Sequence, residues 1–479
     1  MLLLCASLFV VYDSNSGYSS DEVWSVKAAS LNYTSEMAIL KADVHPPLYF
    51  QILYLWVRLF GTGERAVRSL SALFYILTVY AVYGLGRVLY GNKTALLCAT
   101  LYLSSPLAVL SGQFARMYAL LSLFSVLSTW LYMQFSIKPN DSRLLFVLYI
   151  VVNVLGTFTH IAFFFVLFGQ IVCHLLFFRH ERIKSFVVAI VLSLVPYILL
   201  WAPILTGQVA NSAEGLAWLK RPGLSRVAEL LLVYGGALWI LVPALVFIWW
   251  RSGFESFRRS SKLRSTSLPL WLLAITILTP LLISQFKPIF NSRFAIVGLH
   301  LFALTIGAVM GRAGTYLFCF ALIVLNAITL SVVHTASATC DNRAMAVYLS
   351  QTTNDRDVVI FTSLTRFPID YYLQRAQTSR TLFETSFPAE IDNHPGYEGS
   401  ITDPSRRATL EREAGELVDK ITKMHLSGND LRIFFFHGFH PELDSLVEER
   451  LRERFELLPG QGVQCRGTSS YFKELSVYR

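Results

Sequence analysis

Long apolar segments dominate the first two thirds of the chain. An α-helix needs about 17–25 apolar residues to cross a bilayer. Eleven apolar segments up to about residue 334 predict eleven transmembrane helices, centred near residues 7, 78, 102, 126, 152, 170, 194, 238, 275, 303 and 324.

The first segment, Met1–Tyr12, is too short to span about 30 Å, and it lacks the basic start and small-residue cleavage site of a signal peptide. We expect its beginning to be missing or its true start codon to lie upstream.

The pattern changes at about residue 336, where long apolar runs stop and charges become frequent. Asp357–Thr362 and Leu431–Phe436 predict short buried strands, whereas Arg406–His425 and Glu442–Leu457 have helical spacing. The expected fold is therefore an α-helical polytopic membrane domain, residues 1–335, followed by a small soluble α/β domain, residues 336–479. The first outward loop of the membrane domain is residues 13–65.

Composition agrees with a membrane protein. The chain is 54% hydrophobic and only 15% charged, whereas soluble proteins carry about 25% charged residues. Its net charge of +9 could suggest nucleic acid, but the basic residues lie mainly in short loops between apolar segments. We therefore expect no nucleic-acid partner.

The loop charges instead predict topology. Basic residues collect in cytoplasmic loops, and one alternating set of loops is rich in them: Arg87 and Lys93; Lys138 and Arg143; Arg179, Arg182 and Lys184; Arg251, Arg258, Arg259, Lys262 and Arg264; and Arg312. The other set faces outward, and an odd helix count places the C-terminal domain outside as well. We expect a multi-pass protein of a bacterial plasma (inner) membrane.

Cys340 and Cys465, the only cysteines of the outer domain, could pair there or remain separate thiols.

Acidic residues in the first outward loop are candidates for chemistry. Asp21 and Glu22 open a predicted helix that Ser19 or Ser20 could cap. Acids in a first helical turn also favour the helix dipole, which is the structural alternative. Asp43 and His45 precede a stiff Pro46-Pro47 pair and an amphipathic run, Leu48–Phe60. Two acids and a histidine suit general-base catalysis or metal binding, although His45 alone is more often structural.

Outward cations are a second group of candidates. Arg116 and Arg293 each lie at the mouth of a predicted helix, and Lys287 is close to Arg293 in sequence. A single arginine here is usually a snorkelling anchor, but several cations with nearby acids suit a phosphate leaving group. His160 ends a predicted helix on the same face, where it is either a substrate contact or a satisfied interfacial histidine.

These residues together resemble a known family, the polytopic glycosyltransferases of the protein O-mannosyltransferase and aminoarabinose-transferase type (glycosyltransferase family 39-like), which have the multi-helix GT-C fold. The likeness is strongest over residues 20–175. It is carried by Asp21-Glu22, His45-Pro46-Pro47-Leu48, Gly61 with Glu64 and Arg68, Gly86-Arg87-Val88-Leu89-Tyr90-Gly91 and Ala115-Arg116-Met117-Tyr118.

The resemblance implies an activity and a set of roles. A monosaccharide on a polyprenyl phosphate would pass to a hydroxyl of a lipid, protein or glycan acceptor on the outer face. Asp21 would be the general base, Glu22 its helper or the alternate base, and Asp43 the second acid. Arg116, Arg293 and Lys287 would hold the lipid phosphate, and His45, Tyr118 and His160 would complete the substrate-binding set. Some relatives bind a divalent metal; Asp43 and His45 are the candidate ligands here, and no cofactor is assigned.

Physical chemistry agrees with this assignment. A phosphate leaving group needs cations rather than a strong general acid, and no Gly-rich phosphate loop follows a predicted strand. A secondary transporter is the main alternative, but transporters place polar groups at mid-membrane between repeats, and no internal repeat is evident here. A third possibility is a GT-C-fold scaffold that has lost catalysis, against which the Asp-Glu pair argues.

Overall fold

The computed structural model describes most of the chain. The described residues are 16–42, 45–137, 142–178, 183–211, 219, 221–236, 238–239, 263–310, 315–337, 341–376, 383–390, 404–426, 431–438, 440–459, 462–464 and 474–479. They form two compact units: unit 1 comprises the described residues of 28–210 and 219–330, and unit 2 comprises residues 16–27, residue 211 and the described residues of 331–479. Cys340 and Cys465, and the first predicted span, lie outside the described residues.

Unit 1 is built from helices. Two short helices begin the described chain, α1 (Ser20–Ser30), most of which belongs to unit 2, and α2 (Tyr33–Ala42). The following helices are α3 (Leu48–Phe60), α4 (Glu64–Tyr90), α5 (Asn92–Leu103), α6 (Pro106–Gln113), α7 (Tyr118–Ile137), α8 (Arg143–Thr157), α9 (Phe163–Phe177), α10 (Ile183–Leu200), α11 (Ala202–Asn211), α12 (Leu224–Gly235), α13 (Leu263–Ile283), α14 (Ile296–Met310) and α15 (Thr315–Ser337).

Several of these helices can cross a membrane. Among the described residues, four segments are long and apolar enough to span a bilayer: α4, α7, α10, and α14 together with the 3₁₀ turn before it, Ser292–Met310. The bent pair α5 and α6 would make a fifth span. Further apolar helices are shorter, at 10–17 residues. A helical architecture with several apolar helices is thus observed, whereas the number of eleven spans stays a prediction.

The span predicted near residue 102 is broken. α5 and α6 meet at an angle of 60°, at Ser104-Ser105. Proline disfavours helical backbone in the residue before it, and Ser105, just before Pro106, is extended (φ −63°, ψ 128°). Pro106 then starts α6 at the first helical position, where no amide hydrogen is needed. One predicted helix is therefore two.

Unit 2 contains a five-stranded sheet in the order β2-β1-β3-β5-β4. β1 pairs in parallel with both β2 and β3, with Val358 opposite Phe383 and Ile433, and β5 runs antiparallel to β3 and β4. Its elements are α16 (Asn342–Thr352), β1 (Val358–Thr362), α17 (Arg366–Arg375), β2 (Phe383–Phe387), α18 (Arg407–Leu426), β3 (Ile433–His437), α19 (Pro441–Arg454), β4 (Val463–Gln464) and β5 (Glu474–Tyr478).

The central strands explain why the two strand predictions were correct. Every residue of β1 and β3 is buried, as expected for parallel strands covered on both faces. Val358 and Ile360 pack with Ile433 and Phe435 and with residues of α18 and α19 in one hydrophobic cluster. An uninterrupted apolar run is the sequence pattern of such strands.

Candidate functional site

Basic and aromatic side chains from four distant segments of unit 1 form one cluster. His45 precedes α3, Arg116 and Tyr118 lie where α6 passes into α7, His160 lies between α8 and α9, and Arg293 lies in a 3₁₀ turn, Ser292–Ala295, before α14. We call His45, Arg116, Tyr118, His160 and Arg293 the basic cluster. All five residues were candidates from the sequence.

A backbone contact holds His45 next to the α8–α9 turn. The Leu48 amide donates to the Phe158 carbonyl at 3.0 Å, which ties the start of α3 to the end of α8. Pro46 and Pro47 restrict the backbone just before this contact. The rings of His45 and His160 consequently lie with their centroids 5.7 Å apart.

Arg116 places a permanent positive charge in this cluster. Its side chain is buried, with 6% of the residue exposed. Its Nη2 lies 3.5 Å from Nε2 of His45, and its guanidinium carbon lies 5.9 Å from the centre of the Phe50 ring. A guanidinium has only donors, so in this long contact Nε2 of His45 can only be the acceptor.

His160 is a neutral histidine with a defined tautomer. Its Nδ1 accepts a hydrogen bond from the Ala162 amide at 3.0 Å, which leaves the proton of the neutral ring on Nε2. The pKa of His160 lies well below its ordinary range because the ring is buried, because protonation of both His45 and His160 would bring two positive charges together, and because Arg116 adds a permanent positive charge. At neutral pH the ring therefore offers one N–H donor, at Nε2.

Aromatic rings surround His160. The Phe294 ring lies 4.7 Å from it, and the Tyr118 ring lies 6.0 Å from it and 6.4 Å from Phe294, all measured between centroids. Tyr118 begins α7, and Phe294 follows Arg293 in the 3₁₀ turn. The rings thus join three of the four segments.

Arg293 is an exposed cation at the edge of the cluster. Its guanidinium carbon lies 5.4 Å from the centre of the Phe114 ring, and Phe114 stacks on Tyr118 at 6.4 Å. The Asn291 side chain accepts from the Arg293 amide at 2.8 Å and holds the turn. Lys287 is also exposed, but no hydrogen bond or ring contact links its side chain to the basic cluster within the described part of the chain.

An apolar pocket borders the cluster at Phe294. Besides Thr276 its lining is apolar, contributed by α9, α13, α14 and the segment before α14: Phe165, Ile277, Pro280, Ile289, Phe290, Phe294, Ala295 and Val297. The free space in the pocket is about that of one water molecule, so its lining offers an apolar surface rather than a chamber for a hydrocarbon chain.

The acidic pair lies in unit 2, at the start of α1. Ser19 and Glu22 form a capping box: the Glu22 carboxylate accepts from the Ser19 amide at 3.0 Å and from its hydroxyl at 3.1 Å, and the Glu22 amide donates to the Ser19 hydroxyl at 3.4 Å. Of the two predicted caps, Ser19 and Ser20, it is Ser19 that caps the helix, and buried Glu22 has a structural role. Asp21, at the second helical position, is partly exposed.

Asp43 and His45 are the residues predicted to hold a metal ion. Asp43 lies outside the described residues. Among the residues that are described, no three His, Cys, Asp or Glu side chains are grouped closely enough to hold a metal ion. A metal at Asp43 and His45 therefore stays a prediction.

Sequence inspection missed Glu36, a buried carboxyl group on α2 in the same loop. Burial raises the pKa of Glu36 to about 7, and the Gln51 amide and the Arg58 charge oppose that rise only in part. Glu36 lies four residues before Leu40, which is also buried, so both occupy the inward face of the helix. The spacing of Glu36 and Leu40, which puts an acid on the apolar face of a helix, is the sequence feature that could have identified this residue.

The chain resembles known proteins in family and fold. Residues 44–205 match the family model described as dolichyl-phosphate-mannose-protein mannosyltransferase. The ArnT structure from Cupriavidus metallidurans bound to undecaprenyl phosphate shares 12% identity over 100% of this chain and 96% of its own, with a TM-score of 0.59. The same protein in the apo state gives 13% identity, coverages of 100% and 97%, and a TM-score of 0.54.

A third structure is more distant. The Archaeoglobus fulgidus oligosaccharyltransferase in complex with Zn and sulfate shares 14% identity over 99% of this chain and 73% of its own, with a TM-score of 0.50. A search of curated proteins found no significant match. At these identities the structures show the fold alone, and together with the family match they confirm the resemblance to GT-C glycosyltransferases.

Glu36 makes the packing of α2 depend on pH. Folding raises the pKa of this carboxyl group, so its contribution to stability is fully present below the unfolded pKa of 4.5. The contribution is lost as the pH rises through the folded pKa of about 7. Amide hydrogen exchange in Tyr33–Ala42, corrected for intrinsic rates, should therefore lose protection several-fold between pH 5 and pH 8. Glu36→Gln should remove this dependence, whereas Glu229→Gln, in an exposed ion pair, should not. An unchanged pH profile in Glu36→Gln would contradict the assignment.

Proposed function

We propose that this chain, a helical membrane protein with the GT-C glycosyltransferase fold, transfers a monosaccharide from a polyprenyl-phosphate donor to an acceptor hydroxyl on the outer face of a plasma membrane. The acceptor belongs to a lipid, a protein or a glycan. The observation that carries this proposal is the basic cluster beside an apolar pocket.

The cluster suits a lipid phosphate. As the bond between the sugar and the phosphate breaks, the electron pair leaves with the phosphate oxygen, and negative charge grows there. Arg116 and Arg293 supply permanent positive charges, and neutral His160 supplies an N–H donor. Preorganised donors in a partly dry site stabilise such developing charge more than water does.

The apolar side chains that line the pocket offer a surface for the lipid part of the donor. A polyprenyl tail needs an apolar surface next to the phosphate site, and the pocket shares Phe294 with the surroundings of His160. One protein with the same fold, the Cupriavidus metallidurans ArnT, was solved bound to undecaprenyl phosphate. We extend that class of ligand to this chain.

Asp21 is the proposed general base. The acceptor oxygen forms a bond to the anomeric carbon, the bond from that carbon to the phosphate oxygen breaks, and the acceptor proton passes to the Asp21 carboxylate, with inversion at the anomeric carbon. A base is needed because an alcohol is a poor nucleophile while it keeps its proton. Partly exposed Asp21 suits this role better than Glu22, whose carboxylate is engaged in the capping box.

Arg116→Ala should weaken the binding of undecaprenyl phosphate about 10- to 100-fold, because a charge-assisted hydrogen bond contributes about 1.5–3 kcal/mol. Titration of the detergent-solubilised full chain with undecaprenyl phosphate, followed by native mass spectrometry, measures this change without knowledge of the sugar. Arg143→Ala removes an exposed arginine at the start of α8 and should leave binding unchanged. Equal affinities for wild type and Arg116→Ala would contradict a phosphate site in the cluster.

Asp21→Asn should reduce sugar transfer at least about 100-fold, the usual contribution of a positioned general base, while undecaprenyl phosphate binding stays normal. The measurement is mass spectrometry of envelope glycans in a deletion strain that carries the wild-type or the variant gene. It would also identify the sugar and the acceptor.

Glu22→Gln is the matched comparison for Asp21→Asn. The amide oxygen can still accept from Ser19, so we expect a much smaller loss of transfer. Full transfer by Asp21→Asn with loss in Glu22→Gln would make Glu22 the base. Net solute uptake into proteoliposomes without a glycan product would instead favour the transporter alternative.

A further inference from the structure

The backbone just before Asp21 is held by residues more than 320 positions away. Tyr18 is completely buried, and both of its backbone polar groups bond within unit 2. Its amide donates to the Tyr372 hydroxyl at 2.7 Å, and its carbonyl accepts from the Asn342 side chain at 2.8 Å. Its ring stacks on Tyr372 at 6.4 Å. Tyr18 is therefore an anchor three residues before Asp21.

Gly17, just before this anchor, lies where there is no room for a side chain. Its amide donates to Asp341 Oδ1 at 2.9 Å, and the same oxygen accepts from the Arg343 amide to cap α16. A Cβ at position 17 would lie 2.0 Å from Asp341 Oδ1 and 2.9 Å from the Arg343 nitrogen, distances that no side chain can occupy. The close approach at this point requires glycine.

The next contact is at the edge of the sheet. The Ser20 hydroxyl donates to the Leu364 carbonyl at 2.9 Å, directly after β1. β2 lies on one side of β1 and β3 on the other, and this reversal of strand order is where open α/β sheets usually bind ligands, beyond the carboxyl ends of the strands. In unit 2 the start of α1 contacts this position.

The other end of the segment is held as well. Lys27 Nζ lies 4.3 Å from the centre of the Phe367 ring, and the carboxylate of Asp370 lies close enough to affect its pKa, which burial lowers and Asp370 raises in part. Arg366 bonds Asp370 at 3.1 Å and Glu384 at 3.4 Å. Tyr18 contacts Tyr372 whereas Lys27 contacts Phe367. The segment from Tyr18 to Lys27 and α17 therefore run antiparallel.

We propose that unit 2 positions the candidate base, and that Tyr372 and Asn342 are positioning residues for Asp21. The proposal rests on the proposed function, in which Asp21 takes the acceptor proton. Unit 2 fixes the segment before α1 through Tyr18, the first turn through Ser20, and the last turn through Lys27. The direction of the Asp21 carboxylate therefore follows from the fold of residues 331–479, and loss of one anchor slows proton removal without removing the base.

Tyr372→Phe tests this proposal, because it deletes only the hydroxyl that binds the Tyr18 amide. In the full chain, hydrogen exchange of the Ser20–Lys27 amides should become about 10-fold faster, while β1 and β3 keep wild-type exchange. Sugar transfer should lose about 10-fold in kcat with little change in KM for the lipid donor, since the basic cluster belongs to unit 1. Gly17→Ala should act in the same direction and more strongly.

Tyr478→Phe is the matched control. It removes a tyrosine hydroxyl that bonds Glu448 at 3.3 Å elsewhere in unit 2, and it should change neither α1 exchange nor kcat. Unchanged α1 exchange in Tyr372→Phe would overturn the proposal, as would faster exchange with a wild-type kcat, or a raised KM with an unchanged kcat. Full activity of Asp21→Asn would instead remove the premise that Asp21 is the base. The exchange data would still show whether Tyr372 holds the segment at the start of α1.

Discussion

The candidate site depends on one electrostatic constraint, a permanent charge buried among apolar helices. An ionised group next to hydrocarbon is costly, and the guanidinium of Arg116 cannot lose its proton to escape that cost. The bend between α6 and α7 nevertheless holds it beside His45 and near the Phe50 ring. The same burial, with the nearby charge of Arg116, keeps His160 neutral. A place that holds a cation and an N–H donor together favours an anion.

The candidate residues belong to two compact units. Unit 1 holds the basic cluster, with the permanent cations Arg116 and Arg293, and the apolar pocket borders that cluster at Phe294. Unit 2 supplies the acidic residues on α1, whose start is bonded to residues of α16, α17 and the segment after β1. A sheet edge that in many α/β proteins would bind a nucleotide here contacts a segment of the same chain. We propose that the C-terminal unit acts on the reaction by fixing the position of α1.

Local patterns predicted the parts of the structure that depend on local chemistry. The capping of α1 by Ser19, the helix that follows Pro46-Pro47, and the strands around Val359 and Phe435 all follow from periodicity, capping and proline rules. The grouping of His45, Arg116 and His160 was also foreseen, since loop charges had assigned these residues to one face. Pro106 itself indicates the break before it, whereas the length of the apolar run alone predicts one continuous helix.

Other features required tertiary contacts that no local pattern encodes. The bonds of Gly17 and Tyr18 to residues near position 342 and to Tyr372 join segments with unrelated sequences. The capping role of Glu22 depends on how deeply α1 is buried, and the raised pKa of Glu36 depends on how α2 packs. Lys287 looked equivalent to Arg293 because they are close in sequence, but the chain places only Arg293 against the Phe114 ring.

The most direct test of the central claim is a cryo-electron microscopy map of the full chain with undecaprenyl phosphate. We expect phosphate density within about 3 Å of Arg116 and of Nε2 of His160, with the lipid tail leaving past Phe294 along the apolar side chains beside it. A phosphate bound elsewhere, with Arg116 and His160 touching only protein, would contradict it.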